Sequence, residues 1–181
     1  MPDKGKLKPI SYRRAPGRAA PKRVATPLPL ERIVSGGQTG VDRAALDVAM
    51  ELGVPHGGWC PRGRLAEDGP ISSAYRLQET PEPVYAQRTE WNVRDSDGTV
   101  IFSVAEELTG GSALTRQLAA ALGKPCLHLA EQRDGRSALR KLRAFIRRHH
   151  IRTLNVAGPR LSTEPGAAAF ARRVLTALLQ R

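Results

Sequence analysis

The sequence predicts an α/β protein with a Rossmann-like, doubly wound, mostly parallel sheet and helices on both faces. Three observations predict it. Short β-rich runs alternate with amphipathic helical patterns from Glu31 onward. The strand candidates are continuously apolar, as in Thr99–Phe102, which suits a sheet covered on both sides. Three strand ends empty into Gly-containing turns: Ser35-Gly36-Gly37, Thr109-Gly110-Gly111-Ser112 and Ala157-Gly158-Pro159. Such sheets bind ligands beyond the carboxyl ends of their strands, where connections diverge. Three such turns on one edge therefore mark a candidate ligand site.

In chain order, Glu31–Ser35 reads as a strand and Val41–Leu52 as a helix. Val41, Ala45, Val48, Ala49 and Leu52 share one face of that helix, and Gly53 supplies the stop. The run VPHGGWCPRGRLAEDGP holds too much Gly and Pro for a long element and predicts a short strand feeding a functional loop. Short extended pieces are predicted near Tyr75–Leu77 and Val84–Tyr85. A helix over Arg88–Asp95 follows, with Thr89 as its N-cap. After the strand at Thr99–Phe102, Gly110–Gly111 open a loop and Ser112–Leu122 is helical, ended by Gly123. Pro125–Leu129 is a strand, Arg136–His150 a basic helix and Thr153–Val156 a strand. A last helix follows AGPRLSTEPG.

The 181 residues suit one folded domain at 31–181, preceded by a basic disordered tail at 1–30. That tail carries eight Lys/Arg against Asp3, a net +7 of the chain's +12, and is rich in Pro without a sustained period. Such charge can hold nucleic acid through its phosphates, but a solvated extension is the ordinary reading of a basic, periodless run. No apolar run approaches the roughly 18 residues that cross a bilayer. The N-terminus lacks an apolar signal core, so the expectation is a cytoplasmic protein without membrane contact. Cys60 and Cys126 lie far apart with no metal-ligand spacing and read as reduced thiols. No metal site is expected. His149–His150 reads as a charge pair at a helix C-terminus.

The candidate chemistry sits in four stretches. In SGGQTGVD, Gly36 and Gly37 let a ligand approach the backbone, and the following helix offers free amides and the positive end of its dipole. Ser35, Gln38, Thr39 and Gly40 could add donors, and Asp42 could hold a ribose hydroxyl. The same residues also read as a tight βα turn with Thr39 as cap and Asp42 as a first-turn acid. No Gly-Lys-Ser/Thr follows, so this is not a Walker loop. In GWCPRGRLAEDGPI, Arg62 and Arg64 could fork onto an oxyanion, or pair with Glu67 and Asp68 on a surface turn. In RTEWNVRDSDGTVIF, Asn92, Arg94, Asp95 and Asp97 precede a buried strand, and Trp91 reads as core. In TGGSALT, Gly110, Gly111, Ser112 and Thr115 repeat the chemistry of the first stretch, which suggests one shared ligand.

Taken together, SGGQTGVDRAALDVA, GGWCPRGRLAEDG, YRLQET, RTEWNVRDSDGTVIF, TGGSALT with KPCLHL, and NVAGPRLSTEPG resemble the molybdenum carrier family within the LOG/DprA-like Rossmannoid superfamily. These pieces run in order over residues 33–166. The resemblance implies a Rossmann-like homo-oligomer whose Gly-rich cleft takes a small anionic ligand, with molybdate or molybdenum cofactor as cargo. The wider superfamily resembles nucleotide-sensing proteins and phosphoribohydrolases that cleave nucleoside monophosphates. TGGSALTRQ lacks the Glu of the hydrolase signature, so a hydrolase would draw its acid from Glu67, Asp68, Asp95 or Asp97. Two readings follow: a carrier holding an oxyanion or phosphate-bearing ligand, and a nucleotide-sensing or nucleotide-processing protein.

Overall fold

The computed structural model describes residues 27–180. Five strands form one parallel sheet: β1 (Arg32–Val34), β2 (His56–Gly57), β7 (Gly98–Ser103), β8 (Cys126–Ala130) and β9 (Thr153–Ala157), in the order β2-β1-β9-β7-β8. Between β2 and β7 lie four two-residue strands. β3 (Trp59–Cys60) pairs in parallel with β6 (Gln78–Glu79), and β4 (Leu65–Ala66) pairs antiparallel with β5 (Gly69–Pro70). The helices are α1 (Val41–Glu51), α2 (Tyr85–Arg94), α3 (Gly110–Ala121), α4 (Glu131–Asp134), α5 (Ala138–Arg148) and α6 (Pro165–Leu179).

The alternation of side chains along β7 divides the molecule into layers. Val100 and Phe102 join the main core with Ile33, Leu154 and Val156, under α1, α5 and α6. Phe102 meets Phe170 of α6 edge to face, ring centroids 5.4 Å apart. Helices α2 and α3 cover the opposite face. There the central strands carry Thr99 and Asn155, bonded Nδ2 to Oγ1 at 3.1 Å. The predicted doubly wound, parallel sheet is the observed one.

The chain leaves β1 toward the β2 edge and leaves β7 toward the β8 edge, while β9 returns between them. This is the topological switch point of the sheet, and it opens a crevice at the carboxyl edge. The N-termini of α1, α3 and α6 all begin there.

Several elements differ from their predicted bounds. Gly110 and Gly111 are the first residues of α3 rather than a loop before it. Helix α2 begins at Tyr85, three residues earlier than predicted, because the extended Val84 already serves as its N-cap. Thr89 is therefore inside the helix, where its hydroxyl donates to the Tyr85 carbonyl at 2.9 Å. The predicted basic helix from Arg136 starts at Ala138, and α4 forms separately before it. The buried Asp134 makes that break: it accepts from the Ala130 amide and pairs with Arg133 and Lys141. The predicted tail at 1–30 falls mostly outside the described residues. Leu28 and Leu30, at its inner end, pack against the core.

Candidate functional site

A cleft of about 620 Å³ lies over the carboxyl ends of β7 and β9. Its floor and walls come from Gln38 and Asp42 at the first Gly turn, Ser103 and residues 109–112 around the start of α3, and residues 158–160 and 162–164 before α6. Arg88 and Thr89 of α2 form the remaining wall.

The start of α3 lines the cleft with Gly110, Gly111 and Ser112. Thr109 makes no side-chain cap, and no acid stands in the first turn, so its leading amides lack side-chain acceptors. A Cβ on Gly110 or Gly111 would meet nothing within 4 Å. Thr115, one turn on, spends its hydroxyl on the Gly111 carbonyl at 2.8 Å.

The first Gly turn contributes differently. A Cβ on Gly36 would fall 1.7 Å from Arg88 Nη1. That guanidinium instead reaches Asp42 Oδ2 at 2.9 Å, with the Asp42 side chain 4% exposed. Burial pushes the Asp42 carboxyl up from its ordinary value, and the Arg88 charge and the Gln38 amide pull it back down. Gly37, at φ +75°, packs against Leu77 and Ile71. Gly40, at φ +81°, lies so close to the Pro159–Leu161 backbone that a Cβ would fall 2.6 Å from the Pro159 carbonyl. These glycines make room for protein, not directly for a ligand.

Gln38 is 6% exposed. Its Oε1 accepts from the Thr39 amide at 3.0 Å and the Glu67 amide at 2.9 Å. Its Nε2 is buried and has no partner among the described residues, and the same is true of Arg88 Nε. Both residues line the cleft. A buried donor without a partner is costly, and its usual explanation is a missing ligand or water.

The loop before α6 is fastened by Glu67. That carboxylate takes the Thr39 hydroxyl and the Ser162 hydroxyl and stands 3.9 Å from Arg160. The hydroxyls of Ser162 and Thr39 hold it below the usual Glu value. Thr39 Oγ1 accepts in turn from the Leu161 amide at 3.1 Å. On the far wall Ser103 Oγ donates to the Ala105 carbonyl at 2.6 Å and accepts from His128 Nε2 at 2.7 Å. Burial lowers the His128 pKa, which favours the neutral ring.

Of the sequence candidates, the fold brings Gln38, Asp42, Gly110, Gly111, Ser112 and Thr115 to the cleft wall. Ser35, Gly36, Gly37, Thr39 and Gly40 support that wall from behind; Ser35 Oγ donates to the Val156 carbonyl at 2.7 Å. Asp68 forms a two-point pair with Arg43. Arg62 is exposed and outside the cleft wall. Arg94 pairs with Asp95 and stacks on Trp91 at 4.6 Å, away from the cleft. Asp97 sits at the opposite, amino edge of the sheet, accepting from the Arg152 and Thr153 amides. Asn92 is structural, bonding the Trp59 amide and carbonyl at 2.9 and 2.8 Å. Arg88, Arg160 and Glu164 were not singled out from the sequence. Arg88 entered the sequence reading only as the start of a helix, and the one local signal was the missing Cβ at Gly36, whose space it takes.

Comparison with known families adds a decisive match. Residues 33–179 match the Circularly permutated YpsA SLOG family. The chain belongs to that family. The crystal structure of a protein named putative molybdenum carrier protein, from Syntrophus aciditrophicus SB, is 45% identical to this chain. The two superpose with a TM-score of 0.80, covering 84% of this chain and 97% of that one. Comparison with curated proteins gave no match. Family membership fits the ligand-binding geometry described above. Among the described residues no helix is long and apolar enough to cross a membrane, and no cluster of three or more His, Cys, Asp or Glu could hold a metal ion.

Proposed function

We propose that this protein is a carrier-type binding protein that holds an oxyanion or phosphate-bearing ligand in the α1–α3–α6 cleft. The observation that carries this reading is that the α3 start without a side-chain cap and Gln38, whose buried Nε2 has no partner among the described residues, line one cleft. Neutral amides suit an anion because they need no counter-charge and are already oriented. They must do most of the work, because the cleft's two guanidiniums, Arg88 and Arg160, face three carboxylates, Asp42, Glu107 and Glu164. The name of the Syntrophus protein points to molybdate or molybdenum cofactor as cargo. Amide donors suit molybdate, sulfate and phosphate alike, so calorimetry with all three and with nucleoside monophosphates tests the proposal. Saturable binding of at least one is the expected result. Molybdate binding no tighter than sulfate removes the molybdate version, and no binding at all removes the proposal.

A second reading, a nucleotide-sensing or nucleotide-processing protein, rests on the cleft's size. About 620 Å³ far exceeds a four-oxygen anion and falls in the range of small-molecule sites. Glu67, Asp68 and Asp97 are committed to structural partners, and Glu164 takes the Ala105 amide at 2.8 Å, so an acid for N-glycosidic cleavage would be Glu107 of the wall. Release of free base from a nucleoside monophosphate, lost in Glu107→Gln, is the outcome the processing version requires.

A further inference from the structure

The positive charge of this chain is concentrated in two stretches. Residues 136–152 hold seven Lys/Arg and no Asp or Glu, and residues 1–26 hold eight against the single Asp3. Everywhere else fourteen Lys/Arg face sixteen Asp/Glu. The net +12 is therefore local, and within the described residues its place is α5 and the turn that follows it. Helix α5 directs Ala138, Leu142, Phe145 and Ile146 into the core. Its exposed residues are Arg140, Lys141, Ala144, Arg147 and Arg148, which recur at helical spacing along one stripe. Lys141 is held by Asp134 at 2.6 Å, whereas Arg140 and Arg148 have no hydrogen-bond or carboxylate partner among the described residues. Those two stand about 12 Å apart along the helix axis, with the small Ala144 between them. None of the residues 136–152 lines the cleft. The chain enters the fold at the far end of this segment, where the Glu31 amide donates to the Arg152 carbonyl at 2.8 Å.

We infer that the exposed stripe of α5 is a docking face for the phosphate backbone of a double-stranded nucleic acid. It is separate from the cleft and does not depend on what the cleft holds. Arginine outnumbers lysine six to one in residues 136–152, and its planar fork suits phosphate oxygens. A duplex carries about one charge per 1.7 Å of its axis, so a row of about 12 Å spans several phosphates. A helix that lies in a lipid surface needs an exposed apolar face. None of the large apolar side chains exposed among the described residues belongs to this segment, so its chemistry favours nucleic acid over membrane. It exposes no Phe, Tyr or Trp on which unpaired bases could stack, which favours a duplex over a single strand. Contacts of this kind read the backbone and carry no base sequence.

Fluorescence anisotropy with a labelled DNA duplex, the matching RNA duplex and the single strand tests it, on the full chain and on three double variants of equal charge change. These are Arg140→Gln with Arg148→Gln on α5, Arg13→Gln with Arg14→Gln near the N-terminus, and Arg62→Gln with Arg76→Gln as exposed arginines elsewhere. Thermal melting verifies that each variant is folded. The expected result is duplex binding that weakens with salt and is indifferent to base sequence. The α5 pair should lower the slope of log K against log salt by about one for each arginine removed, and the Arg62 and Arg76 pair should leave it unchanged. Comparing the DNA and RNA duplexes identifies which backbone is preferred, and the same loss in the α5 variant for either supports the face. No duplex binding by the full chain, an α5 effect no larger than that of the Arg62 and Arg76 pair, or tighter binding of the single strand overturns it. Loss confined to the Arg13 and Arg14 pair gives the duplex to residues 1–26 and overturns the α5 face. Phosphatidylserine vesicles bound more tightly than the duplex, and released in the α5 variant, assign the stripe to lipid and overturn it as well.

Discussion

Arg88 occupies the space that a side chain on Gly36 would need: its Nη1 lies 1.7 Å from where that Cβ would stand and 2.9 Å from Asp42 Oδ2. The Arg88–Asp42 pair is largely buried in the cleft wall, and a glycine is the condition for it. Gly36→Ala is therefore expected to expel the guanidinium and leave Asp42 buried without a counter-charge, at a cost of about 3–5 kcal/mol. Urea unfolding measures this; a loss under about 1 kcal/mol would mean that the pair relaxes around the methyl group.

Gly111 gives the opposite expectation. Its Cβ position is open and its φ is not left-handed, so Gly111→Ala leaves stability unchanged or raises it by roughly 0.5–1 kcal/mol through helix propensity. A ligand that approaches the α3 amides closely would meet the added methyl. Reduced ligand affinity with undiminished stability is the expected pair of results, and unchanged affinity would place the anion elsewhere.

Glu67 predicts an acid response. The Ser162 and Thr39 hydroxyls hold its carboxyl below the usual 4.5. A lowered folded-state pKa stabilises above the unfolded value and loses that contribution as pH falls through the folded one. Glu67→Gln should melt below the parent protein at pH 7, and the gap should close as pH falls below 4.5. Hydrogen exchange at the Leu161 and Ser162 amides should quicken in the variant. A gap independent of pH would show that the carboxylate's charge is not what fastens the loop.

Tyr75 predicts an alkaline response. Burial and its 2.7 Å bond to Asp47 push its phenol up to about 12. The raised pKa keeps its stabilising contribution in full below pH 10, and the contribution is lost as pH rises from there to about 12. Ultraviolet titration should show a phenol ionising near pH 12 that is missing in Tyr75→Phe. That variant should lose about 1 kcal/mol at pH 7 with the hydrogen bond. A full set of ordinary phenol titrations would contradict the burial.

Much of this architecture was legible in the chain. The runs Ile33–Val34, Thr99–Phe102 and Leu154–Val156 are short, apolar and separated by helical periods, which is enough to place a parallel sheet between two helix layers. That Gly110–Gly111 would lie at a cleft on the carboxyl edge was legible because the glycine turns fall at strand ends. The boundary at Tyr85 was not legible, since Val84 caps α2 through its backbone rather than a side chain. The cleft's second wall was also hidden. Arg88 and Arg160 are 72 positions apart, and no local pattern relates them.

The sequence by itself determined the sheet, its helices and the edge on which the glycine turns converge, because hydrophobic periodicity and turn chemistry are local properties. Only the tertiary structure decided what each glycine is for. Gly36 and Gly40 admit Arg88 and the 159–161 backbone, whereas Gly111 faces open space. That difference depends on which distant atoms arrive at each Cα, and close packing between segments far apart in the chain settles it.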